Sequence, residues 1–348
     1  MDFTPEPNSR QSSAARTPEE TAMPRGRFLD LTTPPHIVTL VLIAGIGALN
    51  MNALLPSLPA MAAWFGTDYA VMQLAISAYL AMTAVLQLIV GPLSDRFGRR
   101  PVLIGAITVF VATTIAAALA PTIEIFMAAR LAQAVVIAGF VLSRAIVRDM
   151  VPLEQAASMI GYVTMGMTLV PMVGPLLGGF LQELFGWQSI FWMTAAAGLV
   201  VLATTALDLK ETNLHRSASM TSQFRSYPEL FASRRFWGFV FSSMFASGMF
   251  FAFIGGAPYV AQQHLGLSPS ALGMYFVFII IGYTLGNFLS GRYAARVGIF
   301  TMMVAGAIAA AAGIALSIAF FALGGSHAAG FFGPLFLVGL GNGLVLPS

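Results

Sequence analysis

Long apolar runs separated by short polar breaks make up the chain from residue 36 onwards. About 20 apolar residues are enough for one helix to cross the hydrocarbon core of a bilayer. The runs therefore predict an all-α membrane protein with 10 transmembrane helices, over 36–60, 70–93, 101–120, 123–148, 154–181, 187–208, 235–261, 268–290, 298–322 and 328–348.

Two polar stretches divide the chain. Residues 1–33 are rich in Pro, Ser, Thr, Glu and Arg and lack an apolar core, which is typical of a disordered tail. The second stretch follows the sixth predicted span. We predict a cytoplasmic tail over 1–33, a six-helix N-terminal bundle over 34–208, a cytoplasmic connecting loop over 209–234 and four helices of a C-terminal bundle over 235–348.

The composition also indicates a membrane protein. Hydrophobic residues make up 57% of the chain, charged residues only 9%, and the mean hydropathy is +0.82, far from the averages of soluble domains. The net charge of +3 does not indicate nucleic-acid binding, because the basic residues lie between apolar runs rather than on one solvent-facing patch. The absence of cysteine excludes disulfides and thiol catalysis. We expect a monomer in a lipid bilayer, with no nucleic acid, metal or cofactor.

Basic residues alternate along the predicted loops. Sixteen of the 17 Lys and Arg residues fall before the first span or after spans two, four, six and eight. Basic residues of short loops collect on the cytoplasmic side. The pattern therefore predicts a cytoplasmic N-terminus and a multi-pass protein of the cell inner membrane, and it leaves only Arg130 inside a span.

The most informative stretch is Gly91–Pro101, which lies between the second and third spans. Gly91 permits close approach of another helix. Gly98 suits the left-handed residue that ends a helix, and Pro101 suits the first turn of the next helix. We expect the arginines between them to lie in a tight loop at the membrane edge.

This stretch resembles the signature loop between the second and third helices of major facilitator superfamily transporters. Its surroundings, from Tyr79 to Pro101, are similar to the bicyclomycin-resistance (Bcr/CflA) branch of drug efflux proteins. The resemblance implies a six-plus-six helix fold and a gating role for this loop. On that view the Asp95 carboxylate lies against the positive end of a helix from the other half. The implied gating residues are Gly91, Asp95, Arg96, Gly98, Arg99 and Arg100.

A second motif lies in the fifth span, over Val170–Gly179. Prolines four residues apart and paired glycines bend a helix and leave one face almost bare, which permits close packing. The stretch is similar to the fifth-helix motif of the exporter branch of the superfamily, although a generic Gly/Pro kink would share these residues. The motif residues are Pro171, Gly174, Pro175, Gly178 and Gly179.

Arg130 is a candidate functional residue because a cation inside the bilayer costs roughly 2.5–3.5 kcal/mol and is rarely kept without a partner or a water-filled cavity. In the family it matches the fourth-helix Arg and Gln associated with proton transfer, here Arg130 and Gln133. The alternative is that Arg130 extends to the nearer interface. Asn52 and Tyr79 are further midspan polar residues that we expect to line a cavity.

Proton exchange requires a group that titrates, and none of the predicted spans has a carboxylate near its middle. Many members of this branch have an Asp where this chain has Asn52. Three alternatives remain: coupling through Glu124 paired with Arg130, coupling through an acid in helices beyond residue 348, or transport without protons. We favour the first.

An internal repeat relates the two bundles. Leu93–Arg100 recurs loosely as Leu289–Arg296, in which Gly291 replaces Asp95. Parallel repeats of this kind surround a midplane site in transporters. On this count we expect the second bundle to lack its last two helices.

The sequence therefore predicts a secondary transporter that exports small amphipathic drugs or related compounds, with protons as the coupling ion. An ATP-driven pump is disfavoured, since the only lysine, Lys210, follows Leu209 rather than the glycine of a phosphate-binding loop. A membrane-embedded enzyme would need His and carboxylates that converge, whereas the four His residues are scattered near span ends and in the connecting loop. A metabolite exporter or importer of the same fold, or a chain with little transport, is the alternative.

Overall fold

The computed structural model describes residues 27–151, 156, 159–164, 170–213, 231–325 and 327–345. These residues form helices and connecting turns, and no strand occurs among them. The helices are α1 (Ile37–Asn52), α2 (Leu58–Phe65), α3 (Tyr69–Phe97), α4 (Arg99–Ala118), α5 (Ile123–Ala132), α6 (Ile137–Met150), α7 (Val170–Phe185), α8 (Gln188–Asp208), α9 (Arg234–Tyr259), α10 (Pro269–Val297), α11 (Ile299–Ala322), α12 (Ala328–Phe332) and α13 (Leu335–Val345).

Short turns join several of these helices into longer rods. A 3₁₀ turn, Leu55–Ser57, links α1 to α2, a second, Gln133–Val136, links α5 to α6, and a π turn, Val260–His264, extends α9. Eight described stretches are long and apolar enough to cross a membrane: Ile37–Phe65, Tyr69–Phe97, Arg99–Ala118, Ile123–Met150, Gln188–Asp208, Pro269–Ser290, Phe300–Ala322 and Ala328–Val345. The multi-pass all-α prediction is confirmed.

The ten-span count itself stays a prediction. The predicted fifth span, 154–181, falls partly outside the described residues, and its described part belongs to α7. The predicted seventh span, 235–261, is helical as α9 but is not among the eight.

The predicted loop after the second span is much shorter than expected. Helix α3 continues through Gly91 and Pro92 to Phe97, and Gly98 alone, with φ 101°, separates it from α4. The Ser94 hydroxyl donates a hydrogen bond to the Gly91 carbonyl (2.8 Å) inside this last stretch. The prediction that Arg96, Arg99 and Arg100 lie in a loop is therefore wrong, because they belong to helix ends, whereas the turn at Gly98 is confirmed.

The two helices that carry the internal repeat also resemble each other in the structure, but their equivalent residues differ by one helical turn from those of the sequence match. Helices α3 and α10 each contain 29 residues and each end at a glycine of positive φ, Gly98 and Gly298. When the two helices are aligned by their ends, Asp95 is equivalent to Ala295, whereas the sequence match made it equivalent to Gly291. A shift of four residues keeps nearly the same helix face, which explains how the sequence matched one turn out.

Two apolar clusters hold the helices together. One is formed by the N-terminal half (residues 27–208) with the adjoining Leu209, and it includes Leu40, Phe110 and Leu142. The other joins both halves, since it contains Leu58, Phe126 and Trp187 together with Leu272 and Phe332 from the C-terminal half (residues 234–345). We call the end of the molecule with Arg99, Arg148 and Lys210 the basic end, and the end where α3 and α10 begin the far end.

Part of the predicted tail is folded. Residues 1–26 lie outside the described residues, but residues 27–33 form turns in which the Thr33 N–H donates to the Asp30 carbonyl (3.2 Å). Asp208, at the end of α8, accepts backbone hydrogen bonds from Leu29 (2.7 Å) and His36 (2.8 Å). The polypeptide preceding α1 is therefore fastened to the basic end.

Candidate functional site

Arg130 lies deep inside the N-terminal half, near the C-terminal end of α5, with 1% of its surface exposed. Its Nε donates to the Ala75 carbonyl of α3 (3.0 Å) and its Nη1 to the Gln133 Oε1 (2.8 Å). The guanidinium carbon lies 4.3 Å from the centre of the Tyr79 ring, a favourable cation–π geometry. Burial excludes the alternative in which this side chain extends to an interface.

Further polar side chains continue the contacts of Arg130 into two other helices. Gln133 Nε2 donates to the Thr114 hydroxyl of α4 (2.8 Å), and Asn50 Nδ2 of α1 donates to the Tyr79 hydroxyl (3.4 Å). These bonds join four rods across the interior. Networks of buried hydrogen bonds strengthen one another and fix side-chain orientation. We call Asn50, Tyr79, Thr114, Arg130 and Gln133 the Arg130 cluster.

One donor in this cluster is left over. Arg130 Nη2 is buried and has no hydrogen-bond partner, and no carboxylate contacts Arg130 among the described residues. A buried charge without a counter-charge is costly and usually marks a functional position in a membrane protein. Arg130 therefore keeps one N–H group without a hydrogen-bond partner and a positive charge without an acidic partner among the described residues.

Glu124 is not the partner of Arg130 in this structure. It lies exposed in the first turn of α5, and the predicted ion pair with Arg130 is not formed. Residues six apart on an α-helix differ by about 600° of rotation, so they point to different faces. The pairing hypothesis fails for this geometric reason.

Asn52 also lies apart from the cluster. Its side-chain amide donates to the Ala48 carbonyl of its own helix (2.8 Å). A Cβ on Gly174 of α7 would lie 3.0 Å from the Asn52 Cβ, so Asn52 borders the α1–α7 contact. Of the predicted cavity residues, the structure brings together Arg130, Gln133 and Tyr79 only.

The glycine motif of the fifth span forms tight contacts on two sides. A side chain at Gly178 would collide with the Ala53 carbonyl, and one at Gly179 with the Pro269 carbonyl of α10. The Pro175 carbonyl in turn lies 2.7 Å from a Cβ built on Gly273. The close packing expected of this bare face is therefore present, joining α7 to α1 and to the C-terminal half. The Pro171 side chain lies outside the described residues.

At the basic end, the charged residues of the Gly91–Pro101 stretch contact the N-terminal half and the segment that follows it. Arg99 pairs with Asp95 (2.5 Å) and, through Nε, with Asp149 at the end of α6 (3.1 Å). Asn213 Nδ2 donates to the Asp95 carbonyl (3.0 Å), and Arg100 Nη2 donates to the Ala206 carbonyl of α8 (3.0 Å).

The other predicted gating residues make fewer contacts. The Arg96 guanidinium lies 5.3 Å from the centre of the Phe97 ring. Nothing lies within 4 Å of a Cβ built on Gly91, so the close approach expected there is not seen in this structure.

Glu211 is a residue of this site whose contact the sequence did not predict. Its carboxylate accepts the Arg99 N–H (2.8 Å) at the start of α4, where a negative charge is favoured by the exposed N–H groups. A side chain at Gly98 would collide with the same carboxylate. An acid directly after a helix end was the available signal, but only the fold shows which helix start it meets.

The two halves meet at the far end. The Tyr69 hydroxyl (2.6 Å) and Gln73 Nε2 (3.0 Å) both donate to the Gly255 carbonyl of α9. Gln262 Nε2 in the π turn donates to the Pro56 carbonyl (2.6 Å). We call these three hydrogen bonds the far-end clasp; they join the halves at the end opposite the basic end.

Eight described stretches long and apolar enough to cross a membrane, with an arginine buried among them, define a multi-pass membrane protein. The comparisons give the family: residues 40–348 match the Major Facilitator Superfamily, and the chain belongs to it. This is a family of transporters, not of enzymes, and the chain is a multi-pass membrane protein.

The similar proteins include drug-resistance proteins. A chloramphenicol resistance protein of Pseudomonas aeruginosa is 31% identical over 303 residues, which cover 85% of this chain and 71% of that protein. A bicyclomycin resistance protein homologue of Haemophilus influenzae is 27% identical, over 77% of this chain and 68% of that protein. The predicted resemblance to the drug-efflux branch is confirmed.

Solved structures show the same fold. A bacterial homologue of the human lysosomal transporter Spinster, in an inward-facing and unoccupied conformation, aligns with a TM-score of 0.69 at 19% identity, covering 89% of this chain and 72% of that one. A D-xylose–proton symporter aligns with a TM-score of 0.68 at 14% identity, covering 88% of this chain and 80% of that one.

Proposed function

We propose that this chain is a secondary transporter that exports small amphipathic compounds from the cytoplasm, in exchange for protons, through a route beside the Arg130 cluster. The carrying observation is the unpaired Nη2 of Arg130, buried among α1, α3, α4 and α5. A buried donor of this kind gives a substrate oxygen a strong, oriented contact, because the interior screens charge poorly.

The contacts at the two ends support alternating access. In this structure the far-end clasp joins the halves, and the Asp95, Arg99 and Asp149 side chains pair within the N-terminal half. We infer that the far end is the closed side here and that the basic end, which we assign to the cytoplasm, is the side that opens. Breaking the Asp95–Arg99 pair would then change how often that end opens.

The proton step has few candidate groups. Asn52 does not titrate and Glu124 is exposed, so the described residues supply no carboxylate beside Arg130. Glu154, which lies outside the described residues, is the remaining acid of the predicted fifth span. We propose that an acid at the span ends or in that span takes up the proton.

The proposal is tested by measuring drug uptake into vesicles that contain the purified protein with its cytoplasmic face outwards. Chloramphenicol and bicyclomycin serve as probes. An acidic lumen should drive accumulation above that of empty vesicles, and dissipating the pH gradient should abolish it. Since the chain has no cysteine, single cysteines at the basic end report opening directly; Asp95→Asn should change their labelling rate. Flux equal to that of empty vesicles for both probes would reject drug export, and equal labelling in both backgrounds would reject the gating role.

A second candidate of the same fold is an exporter or importer of an anionic metabolite. The observation in its favour is the same uncompensated charge, because a permanent anion would neutralise Arg130. Small carboxylates in the same vesicles would separate the two candidates: competition by an anion with no competition by either drug supports the second.

A further inference from the structure

The segment between Arg27 and His36 forms a folded strap at the basic end. Its turns are held by Asp208, which is completely buried and accepts the N–H groups of Leu29 and His36 with its two carboxylate oxygens. Both partners are backbone groups, so the carboxylate fixes the path of the chain rather than one side chain. Asp208 therefore anchors the strap to the end of α8.

The backbone of the strap is strained at Leu29. This residue has φ 60°, a left-handed conformation that is unfavourable for a residue with a branched apolar side chain. Such a conformation persists only where surrounding contacts impose it. Here the hydrogen bond to Asp208 imposes it, at a residue whose side chain nevertheless makes little contact with the protein.

Three apolar side chains of the strap face outwards. Phe28, Leu29 and Leu31 are 46%, 45% and 43% exposed. The strap leads into α1 and is tied to the last residue of α8, and both helices belong to membrane-crossing stretches. We therefore expect these side chains to lie near the point where two spans leave the hydrocarbon core.

Two basic side chains, Arg27 and Lys210, lie near the strap together with two carboxylates, those of Asp30 and Asp208. The Thr32 hydroxyl and N–H donate to Asp30 and lower the pKa of its carboxyl, and the nearby Arg27 and Lys210 lower it further. Asp208 is completely buried, whereas Arg27 and Lys210 are exposed, so the charges at the surface of the strap are these two cations and the half-buried Asp30. Basic residues beside a membrane attract acidic phospholipids, each contributing about a fivefold increase in binding.

We propose that the strap is an interfacial lipid anchor, in which Phe28, Leu29 and Leu31 insert between the acyl chains of the leaflet at the basic end while Arg27 and Lys210 contact anionic phospholipid headgroups. Apolar side chains next to basic ones are typical of protein segments that lie in the interface plane. The anchor would fix the basic end at one depth in the bilayer. This inference rests on membrane insertion and is independent of what the protein transports.

Spin labels on single cysteines measure this directly, because the chain has no cysteine of its own. Labels are placed on the full chain by Phe28→Cys and Leu31→Cys, with Thr32→Cys, an exposed polar position of the same strap, as the matched control. In vesicles of phosphatidylcholine with phosphatidylglycerol, labels at 28 and 31 should collide more with oxygen, which partitions into lipid, than with an aqueous nickel complex. The label at 32 should show the reverse.

Two further variants test the two parts of the anchor. Arg27→Ala should reduce the lipid-inserted fraction of the label at 28 about fivefold in anionic vesicles, by loss of one basic charge. Asp208→Asn should release the strap and make that label accessible to the nickel complex. The labelling sites are exposed, so their readout stands even if Asp208→Asn proves poorly folded.

Three results would overturn the proposal. One is nickel accessibility at 28 and 31 equal to that at 32. Another is an inserted fraction that does not depend on phosphatidylglycerol. The third is protection from both reagents that disappears in a variant lacking residues 2–26, which would show that the chain's own N-terminal residues cover the patch.

Discussion

The interiors of the two halves are built differently. The N-terminal half buries a cation in a polar network that reaches from Asn50 to Thr114 through Arg130. In the C-terminal half, described glycines bring helix backbones into contact: α13 touches α10 at Gly339 and Gly282, and α11 at Gly341 and Gly306. Small residues replace the hydrophobic effect as the basis of helix association in lipid. Glycine contacts also occur in the N-terminal half, as at Gly178 against the Ala53 carbonyl, so what distinguishes that half among the described residues is its buried, charged network.

The largest effect is expected from a substitution that disrupts helix packing in the C-terminal half. Gly339→Val places a branched side chain on the Ile279 carbonyl and the Tyr283 N–H, so α13 and α10 must separate. Overpacking typically costs about 1–3 kcal/mol and more where backbone must move. Folded, monodisperse protein in detergent should fall strongly, as measured by size-exclusion chromatography. Gly105→Val, at a helix position with nothing within 4 Å of its Cβ, is the matched control; equal losses in both variants would contradict the packing argument.

The second effect removes the charge of the Arg130 cluster without unfolding the protein. Arg130→Gln removes the charge and the aimed Nη2, so flux in vesicles should fall at least about tenfold, as expected for losing a charge-assisted hydrogen bond. The thermal midpoint should change little, because the loss of the hydrogen bonds to the Ala75 carbonyl and to Gln133 offsets the relief of a buried charge that has no acidic partner among the described residues. A variant that transports normally but unfolds earlier would show that Arg130 is structural.

The smallest effect is expected at Asn342, which we compare with Gln133 as a second buried amide, one from each half. Asn342 in α13 is buried and its Nδ2 has no partner, whereas Gln133 is bonded on both sides. Asn342→Leu should change flux by less than about fivefold, or about 1 kcal/mol, and should leave stability unchanged or improved. Gln133→Leu should reduce flux more. Equal losses would place a recognition site in both halves.

Sequence patterning predicted much of this fold and part of the site. Helix type and the turn at Gly98 follow from apolar length and from a conformation that glycine adopts easily. Arg130 was found because a cation in an apolar run is expensive. Its partner was missed, since the Ala75 carbonyl is a backbone group 55 residues away that no side-chain pattern reveals.

The remaining misses share that cause. Asp208 binds the backbone of Leu29, 179 residues away, and Glu211 binds the start of α4, 112 residues before it. Both carboxylates act on main-chain N–H groups, which every residue but proline carries. The sequence match between the two copies of the repeat was wrong by one helical turn, because a shift of four residues preserves the helix face. Sequence therefore located the groups that carry charge but not the backbone groups that receive them.

The buried guanidinium of Arg130 has an electrical consequence. Carrying one elementary charge across a whole membrane potential of 100 mV exchanges about 2.3 kcal/mol with the field. If rocking of the N-terminal half carries Arg130 through one tenth of that field, the exchange is about 0.2 kcal/mol, which shifts a two-state equilibrium about 1.5-fold. The resting voltage of the cell would then bias which side of this protein is open, even when the cargo is neutral.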